Sequence, residues 1–340
     1  MGPTGDAYRV IQLHPTRRCN LQCLHCYSTS GPDARDQLPL DLLEQVLTDA
    51  SQEHYNVAGF SGGEPTMYPW LADALSHAHA VGLRTTVTSN GMMLNERMLN
   101  RLRPHLDLLA ISLDGTPESH NLMRGAANAF EVMVKHLPAV RESGLPFGFI
   151  FTLTQHNLHE LDWVAAFAAE QGARLLQVHP LEESGRAADA LPNAEPDDVE
   201  SSVAFLEATR LQEKYGESMH LQLDLLDRQF VAKSPERVLA TTPLDAHCRP
   251  LSALVSPLIV EPDGTVVPIH YGLDRRFALG NLYQRPLSAL AVAWRAEKME
   301  PFLAVCRRAF DDLLRPSELP FVNWYTLLAQ QTDHATLESA

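Results

Sequence analysis

The sequence predicts an α/β fold in which parallel strands alternate with helices, followed by a smaller C-terminal unit. One observation is that six short apolar runs are each followed by a segment with helical or turn signals. A second is that polar, glycine-rich stretches directly follow several of these runs. Such alternation indicates parallel pairing through crossover helices. Doubly wound sheets and barrels both fit this pattern, and the strand count does not choose between them.

The elements of the first unit follow in order. The predicted strands are Tyr8–His14, Val57–Phe60, Arg84–Ser89, Leu108–Leu113, Phe147–Leu153 and Arg174–Pro180. The predicted helices are Leu40–Glu53, Trp70–Val81, Asn95–Leu102, Ala129–Ser143 and Leu158–Gln171. Proline and the Asn-Gly and Asp-Gly pairs mark several strand ends as turns. The chemistry of a parallel α/β fold lies at these carboxyl ends of the strands.

The second unit begins after a change of composition to Ala, Pro, Asp and Glu at residues 187–198. A helix is predicted at Val199–Tyr215, and we place the domain boundary after it, giving domains 1–215 and 216–340. Leu221–Leu226 reads as a further strand or short helix. The Asp263-Gly264 pair predicts a β-hairpin. Its strands and the two helices beyond it are Leu258–Val260, Thr265–Ile269, Leu287–Glu297 and Pro301–Leu314.

Composition limits the classes of partner. The chain has 340 residues, 45% of them hydrophobic, and a net charge of −15. A nucleic-acid-binding protein is expected to carry a basic surface, so that class is disfavoured. No apolar run approaches the ~20 residues that cross a bilayer, and the N-terminus lacks the features of a secretory signal. We therefore expect a cytoplasmic protein without a membrane partner.

Three cysteines within eight residues are the strongest motif. Cys19, Cys23 and Cys26 have the spacing Cys-x3-Cys-x2-Cys, and Tyr27 follows the third thiol. Three thiolates can hold three irons of a four-iron cluster and leave the fourth iron open. The alternative is a Cys3His zinc site completed by His14 or His25. A disulfide is disfavoured, because the cysteine count is odd and the expected compartment is reducing.

This triplet, in the loop after the first strand and followed by an aromatic residue, resembles the signature of the radical S-adenosylmethionine (radical SAM) enzymes. The resemblance implies a partial (β/α)6 barrel with a smaller C-terminal α+β extension. It further implies one 4Fe-4S cluster ligated by Cys19, Cys23 and Cys26, with SAM on the open iron. A reductant such as flavodoxin or ferredoxin would drive cleavage of SAM to methionine and a 5′-deoxyadenosyl radical, which abstracts hydrogen from the substrate.

The resemblance also implies SAM-binding residues at the following strand ends. Gly62, Gly63 and Glu64, in the run Ser61-Gly62-Gly63-Glu64-Pro65, match the motif that binds the methionyl amino group. Ser89 and Asn90 match the position near the ribose and methionyl part. Ser112 and Arg124 match the serine and arginine that hold the SAM carboxylate. Asp114 would bind SAM or substrate or fix its loop, and the main chain of Val178 would contact adenine.

The C-terminal unit resembles the SPASM or twitch extension of this family but departs from it. The run from Ile259 to Pro268, followed by Leu279-Gly280-Asn281-Leu282, matches the extension. Only Cys248 and Cys306 occur in this region, and two thiolates do not supply an auxiliary cluster. We expect a degenerate extension that closes the barrel mouth. The alternative is a two-cysteine site completed by His247 or His270.

Three functions stay open at this stage. The first is a radical SAM enzyme that modifies a small peptide or natural product. The second is a haem-pathway enzyme that decarboxylates or cleaves propionate side chains. The third is a zinc-binding or redox-sensing module without catalysis. Only about eight residues precede the first strand. We therefore expect no fused leader-peptide-binding domain, which weakens the peptide alternative unless a partner supplies one. Whether SAM is consumed, and the oligomeric state, do not follow from the sequence.

Overall fold

The fold is built on one curved ten-stranded sheet. The computed structural model describes residues 8–235, 238, 249–315 and 320–337. Within these residues the sheet order is β11-β10-β9-β1-β2-β3-β4-β5-β6-β7. The strands are β1 (Val10–Leu13), β2 (Val57–Phe60), β3 (Arg84–Ser89), β4 (Leu108–Ser112), β5 (Phe147–Leu153), β6 (Leu175–Pro180), β7 (His220–Leu223), β8 (Leu226–Asp227), β9 (Leu258–Val260), β10 (Thr265–Pro268), β11 (Gly280–Asn281) and β12 (Phe321–Val322).

Helices connect most of the parallel strands and pack on one face of the sheet. They are α1 (Leu40–Gln52), α2 (Leu71–Ala80), α3 (Glu96–Leu102), α4 (Pro117–Arg124), α5 (Ala129–Glu142), α6 (Leu161–Glu170), α7 (Arg186–Ala190), α8 (Asp198–Tyr215), α9 (Arg228–Lys233), α10 (Leu287–Glu297), α11 (Met299–Leu314) and α12 (Trp324–Leu337). The predicted α/β class is confirmed: parallel strands alternate with helices from β1 to β7.

Seven strands, rather than the six predicted, run parallel in sequence order. β7 lies beyond residue 215 and pairs in parallel with β6, with Leu176 opposite Leu221. The C-terminal hairpin continues the sheet at its other edge, because β9 pairs in parallel with β1. The antiparallel β9–β10 hairpin turns at the predicted Asp-Gly pair. The sheet therefore runs across the predicted boundary at residue 215, and the two-domain division stays a prediction.

The two faces of the sheet have opposite chemistry. Side chains such as Ile11, Phe60, Ile111 and Phe149 are fully buried within the main hydrophobic core that the helices share. Residues one position away along each strand face the other side. Residues paired on neighbouring strands point to the same side of the sheet. The pairing register therefore shows which residues make up this second face, which we call the inner wall. Its last positions along β1 to β7 are Gln12, Gly59, Thr88, Ser112, Thr152, His179 and Gln222.

Several elements of the fold were not predicted from the sequence, namely α4, α7, α9, α12 and the two-residue strands β8, β11 and β12. Helix α4 lies among them although Thr116 and Pro117 are common at a helix start. β7 is only four residues long, too short for its periodicity to separate a strand from a short helix. No helix among the described residues is both long enough and apolar enough to cross a bilayer.

Candidate functional site

The cysteine loop, residues 19–26, follows β1 at the carboxyl edge of the sheet. Cys19, Cys23 and Cys26 are all free thiols. Cys19 and Cys23 are buried together with Leu21, and Cys26 packs against the same small cluster. Arg18 forms a parallel bridge with Gly31, and the Cys19 N–H donates to the Gly31 carbonyl at 3.1 Å. The loop is thus closed by its own backbone, and its three thiols share one local environment.

Each thiol sulfur faces a hydrogen-bond donor from outside the triplet. Asn90 Nδ2 lies 3.9 Å from Cys19 Sγ, and Arg124 Nη1 lies 3.8 Å from Cys23 Sγ. The Ser30 N–H lies 3.3 Å from Cys26 Sγ. Donors directed at sulfur stabilise the thiolate form, which is the form that ligates metals.

Burial opposes ionisation of the two inner thiols. It raises the pKa of Cys19 to about 12 and also raises the pKa of Cys23, although Arg124 lowers the latter. Without a positive centre these thiols stay protonated at neutral pH. Because a bound metal deprotonates coordinating thiols, buried cysteines of this kind suit a site that a metal cluster fills.

The residues present fit an iron–sulfur cluster better than a single zinc ion. Across the described part of the chain, no three His, Cys, Asp or Glu side chains are close enough to share one metal ion. A tetrahedral zinc site requires that closeness, whereas a cubane receives each thiolate at a different iron. Each candidate histidine ligand directs one ring nitrogen at a protein group and leaves the other without a hydrogen-bond partner among the described residues. His14 Nε2 lies 3.2 Å from Tyr27 Oη and His25 Nε2 lies 3.9 Å from Asp114 Oδ1, whereas Nδ1 of each ring is buried and lacks such a partner.

The SGGEP turn, residues 61–65, packs directly on the chain that leads into the cysteine loop. The Gly63 N–H donates to the Thr16 carbonyl and the Glu64 N–H donates to the Arg18 carbonyl, both at 2.9 Å. A Cβ atom on Gly63 would lie 2.4 Å from the Arg18 carbonyl oxygen. Gly62 has a φ of 98°, which favours glycine. Close contact with the protein's own backbone is therefore one reason for glycine here.

Glu64 is buried and accepts four hydrogen bonds within the protein. Its Oε1 accepts from the Thr66 N–H, the Thr66 hydroxyl and the Ser89 hydroxyl at 3.1, 2.6 and 2.8 Å. Its Oε2 accepts from the Asn90 N–H at 2.8 Å. Burial raises the pKa of Glu64. The carboxylate thus joins the turn after β2 to the turn after β3, and both turns carry residues that the sequence proposed for SAM.

Asn90 connects the turns joined by Glu64 to the cysteine loop. Its Nδ2 donates to Asn20 Oδ1 at 2.7 Å and lies near Cys19 Sγ, while its Oδ1 accepts from the Met92 N–H. Ser89, Asn90 and Glu64 therefore form one hydrogen-bonded unit beside the first thiol.

Asp114 and Arg124 form a buried ion pair beside the second thiol. Arg124 Nε lies 2.6 Å from Asp114 Oδ2. Burial alone would raise the pKa of Asp114, but Arg124, with smaller effects of His25 and His120, lowers it to about 2. The pKa of Arg124 is raised by Asp114 and Cys23 against the effect of its own burial. Arg124 is therefore a fixed cation, partly committed to Asp114 and Cys23.

The remaining two proposed SAM residues, Ser112 and Val178, face opposite sides of the sheet. The Ser112 side chain is at the last inward position of β4. The Val178 side chain faces the helix side and is fully buried, and its carbonyl already accepts from the Asp224 N–H at 2.9 Å. The structure thus brings together Gly62, Gly63, Glu64, Ser89 and Asn90 in one group and Asp114 with Arg124 in another, with Val178 apart on β6. Their roles toward SAM stay predictions.

An ionic chain of four side chains, absent from the sequence-based site, crosses the open side of the barrel. His179 Nδ1 lies 3.0 Å from Asp224 Oδ2, and His179 Nε2 lies 3.2 Å from Glu182 Oε1. Glu182 Oε2 in turn lies 2.8 Å from His270 Nε2. His270 follows β10, so this chain joins the end of β6 to the C-terminal hairpin.

The charges of the ionic chain are set by its own contacts. Burial would lower the pKa of His179, but hydrogen bonds from its ring to Asp224 and Glu182 raise the pKa to about 10. Burial would raise the pKa of Glu182, and the two histidines instead lower it well below its ordinary value. His179 is therefore a cation at neutral pH between two carboxylates. Its side chain is one-third exposed, which leaves it accessible from the inner wall.

A second contact missed from the sequence is made by Arg186. Its Nη1 donates to the Cys23 carbonyl and its Nη2 to the Ser30 carbonyl, each at 2.8 Å. The Gly185-Arg186 pair directly precedes the predicted linker at residues 187–198, and no motif in the sequence marks it.

Of the two cysteines of the C-terminal unit, the structure describes only Cys306. Cys306 is buried in α11, and burial raises its pKa to about 12. Cys248 and His247 lie outside the described residues. The proposed partner His270 contacts Glu182, and the degenerate nature of the extension stays a prediction.

The chain resembles known proteins in both sequence and fold. Residues 13–168 match the model of the Radical SAM superfamily. The Fe-coproporphyrin III synthase of Methanosarcina barkeri is 27% identical over 297 residues, which cover 84% of this chain and 74% of that protein. The mycofactocin maturase MftC of Mycobacterium ulcerans is 33% identical over 197 residues, 56% of this chain and 52% of the maturase. The AdoMet-dependent heme synthase of M. barkeri is 30% identical over 199 residues, 57% of this chain and 56% of that enzyme.

Solved structures agree at the level of the fold. Streptococcus suis SuiB bound to S-adenosylmethionine superposes with a TM-score of 0.65 at 15% identity, covering 88% of this chain and 68% of SuiB. The anSMEcpe structure with bound AdoMet superposes with a TM-score of 0.64 at 17% identity, covering 97% of each chain. The superfamily uses a 4Fe-4S cluster and SAM. The three-thiol loop after β1 and the match over residues 13–168 together show that this chain contains a radical SAM domain.

Proposed function

We propose that this chain is an enzyme that binds one 4Fe-4S cluster through Cys19, Cys23 and Cys26 and abstracts hydrogen from a peptide or natural-product substrate. The observation that carries the proposal is the cysteine loop itself. Its three free thiols lie at the carboxyl edge of a parallel sheet, and a separate donor faces each sulfur. That is the edge where α/β folds place their chemistry.

The chain's own residues would bind and orient the reactants. When bound, the cluster and SAM supply a 5′-deoxyadenosyl radical, and the protein positions the substrate and excludes water. Glu64 fixes the geometry of Ser89 and Asn90, which we propose flank SAM together with the main chain of Gly62 and Gly63. Ser112 and Arg124 remain our candidates for the SAM carboxylate. Arg124 would present a guanidinium edge that Asp114 does not occupy.

The charge of the inner wall supports a neutral or cationic substrate group. The last inward positions of β1 to β7 carry neutral residues apart from His179, and none is lysine or arginine. The ionic chain places the carboxylates of Glu182 and Asp224 there, on either side of His179. A propionate brought to this wall would meet these two carboxylates, whereas a peptide amide or an amino group would find acceptors.

The second candidate is a reaction on a tetrapyrrole propionate. It is favoured by the similarity to the AdoMet-dependent heme synthase of M. barkeri, which covers 57% of this chain against 56% for MftC. Under this alternative the carboxylates of the substrate would bind arginines outside the inner wall.

Metal analysis after anaerobic reconstitution tests the first step. We expect about four irons and about four sulfides per chain, and 5′-deoxyadenosine on addition of SAM and dithionite. Alanine at Cys19, Cys23 and Cys26 together should abolish both. The matched control is Cys306→Ala, which removes a buried thiol remote from the loop and should keep full cluster content. One zinc and no iron in the wild-type chain would instead support a zinc or redox module.

A pair of substrate probes separates the two candidate reactions. The reconstituted enzyme is mixed with SAM, dithionite and either iron coproporphyrin III or a set of short synthetic peptides. We expect deoxyadenosine formation to increase with a peptide or an amine-bearing small molecule. An increase with iron coproporphyrin III alone, together with loss of carbon dioxide from it, would replace the first candidate by the second. A physiological reductant such as flavodoxin or ferredoxin is proposed as the electron donor.

A further inference from the structure

The segment after β6 ends at a residue that holds the cysteine loop from outside. Arg186 makes three hydrogen bonds to this region. Besides its contacts with the carbonyls of Cys23 and Ser30, its backbone N–H donates to the Cys26 carbonyl at 2.9 Å. One residue therefore binds the main chain at two of the three proposed cluster ligands.

The approach of this segment is close enough to require glycine before the arginine. Gly185 has a φ of 59°, and a Cβ atom there would lie 2.1 Å from the Tyr27 carbonyl oxygen. The segment therefore packs on the cysteine loop through backbone, and the Arg186 side chain extends from that contact.

The chemistry of the guanidinium suits this position. Its donors form a planar, rigid fork, so the two nitrogens fix the separation of the carbonyls of Cys23 and Ser30. An ammonium group has no such fork and acts as a point charge. Arg186 also places a positive charge beside a loop that carries three thiols. Net charge and hydrogen bonding around a cluster set its reduction potential.

We propose that Arg186 is a positioning residue that holds the cysteine loop in the form that retains the cluster and raises the reduction potential of that cluster. This inference rests on the proposed cluster at Cys19, Cys23 and Cys26. Two properties of the side chain have separable effects: the fork retains the loop geometry, and the charge favours the reduced, more negative cluster.

Three variants of the full-length protein test the inference. Arg186→Met removes fork and charge, and Arg186→Lys keeps the charge alone. Arg210→Met removes an exposed arginine of α8 that pairs with Asp162 and Glu207, and it serves as the control. Each protein is reconstituted anaerobically, and iron release to bathophenanthroline disulfonate and the midpoint potential of the cluster are measured.

Loss of two hydrogen bonds to a charged group should make Arg186→Met release iron about tenfold faster or more, and lower its midpoint potential. Arg186→Lys should also release iron faster, with a potential close to wild type. Arg210→Met should match wild type in both. Wild-type release rate and potential in Arg186→Met would overturn the inference while the cluster itself stands. A wild-type chain that binds no cluster would overturn the proposed function instead.

Thermal unfolding of the cluster-free proteins separates positioning from a general loss of fold. If Arg186→Met does not fold, Arg186→Lys decides. Two results for a folded Arg186→Lys protein would contradict the separate effects of fork and charge. One is a midpoint potential as low as that of Arg186→Met, and the other is iron release at the wild-type rate.

Discussion

At the scale of single residues, the site depends on buried polar groups whose partners are all internal. Glu64 is the clearest case, because its carboxylate accepts four hydrogen bonds from three residues on two turns. A buried acceptor of this kind specifies a geometry, since any change of shape leaves donors unpaired.

We expect Glu64→Gln to destabilise the cluster-free protein by about 1–3 kcal/mol. The new amide nitrogen would replace one of the two carboxylate oxygens and cannot accept a hydrogen bond. At least one buried donor that now binds that oxygen would therefore lose its acceptor. Urea unfolding followed by circular dichroism measures the effect.

The control for this variant is Glu213→Gln, on the exposed side of α8, which should change the free energy of unfolding by less than about 0.5 kcal/mol. Equal stabilities for Glu64→Gln and wild type would show that the four hydrogen bonds do not fix the turns.

The motif residues at this scale were predictable because each lies in a short local pattern. The triplet of Cys19, Cys23 and Cys26 and the SGGEP turn are read directly from spacing. His179, Glu182, Asp224 and His270 were not predicted as a group, because they come from distant parts of the chain. Only the curvature of the sheet and the return of the C-terminal hairpin bring them together.

At the scale of elements, strand-end turns pack on one another with no room for added atoms. The SGGEP turn touches the backbone of residues 16–18 so closely that Gly63 has no space for a Cβ atom. This contact fixes the chain that enters the cysteine loop.

We expect Gly63→Ala to destabilise the protein more than Gly82→Ala. Gly82 has a φ of 84°, so alanine there meets backbone strain of about 1 kcal/mol, but it has open space around the new methyl group. Gly63→Ala instead forces the SGGEP turn away from residues 16–18. Thermal unfolding compares the two, and iron content after reconstitution should fall only in Gly63→Ala. A larger loss of stability in Gly82→Ala would contradict this explanation.

The bond between Glu182 and His270 joins the sixth strand of the barrel to the hairpin of the extension. Both side chains are mostly buried, at 14% and 9% exposure, so we expect a coupling free energy of about 0.5–3 kcal/mol between them. A double-mutant cycle of Glu182→Gln and His270→Gln measures it from urea unfolding.

The same cycle with Arg210→Gln and Glu207→Gln, an exposed pair within α8, should give less than about 0.5 kcal/mol. Additive effects of the Glu182 and His270 changes would show that the two residues do not stabilise each other.

Element boundaries were largely predictable. β2, β3 and β5 have the predicted limits, and most of the predicted helices begin and end within a few residues of their predicted limits. The exceptions have physical causes. α4 is only eight residues long and mostly polar, so it has little apolar periodicity. β7 is four residues long, which gives too few positions to separate strand from helix periodicity.

At the scale of the whole molecule, the ionic chain makes stability depend on pH. The folded state raises the pKa of His179 from 6.5 to about 10. Its contribution is therefore complete below about pH 6.5 and is lost as the pH rises toward 10. The folded state lowers the pKa of Glu182 from 4.5, so its contribution is complete above that value and is lost on acidification. Both contributions are complete only between about pH 4.5 and 6.5.

We expect the difference in unfolding free energy between wild type and His179→Gln to be largest near pH 5.5 and to shrink steadily up to pH 9.5. Urea unfolding at a series of pH values measures that difference. His220→Gln, an exposed position at the start of β7, should show no comparable trend. A difference that grows with rising pH would contradict the protonated state of His179 in the fold.

The continuity of the ten-stranded sheet has a consequence for how this architecture could be shortened or recombined. Because β9 hydrogen-bonds to β1 and β7 hydrogen-bonds to β6, cutting the chain after residue 215 would bare two strand edges at once. Exposed edges invite pairing between molecules, so the severed N-terminal half should aggregate rather than persist alone. A chimera that takes its C-terminal part from a relative should therefore fold only if that part supplies strands that pair with both β1 and β6.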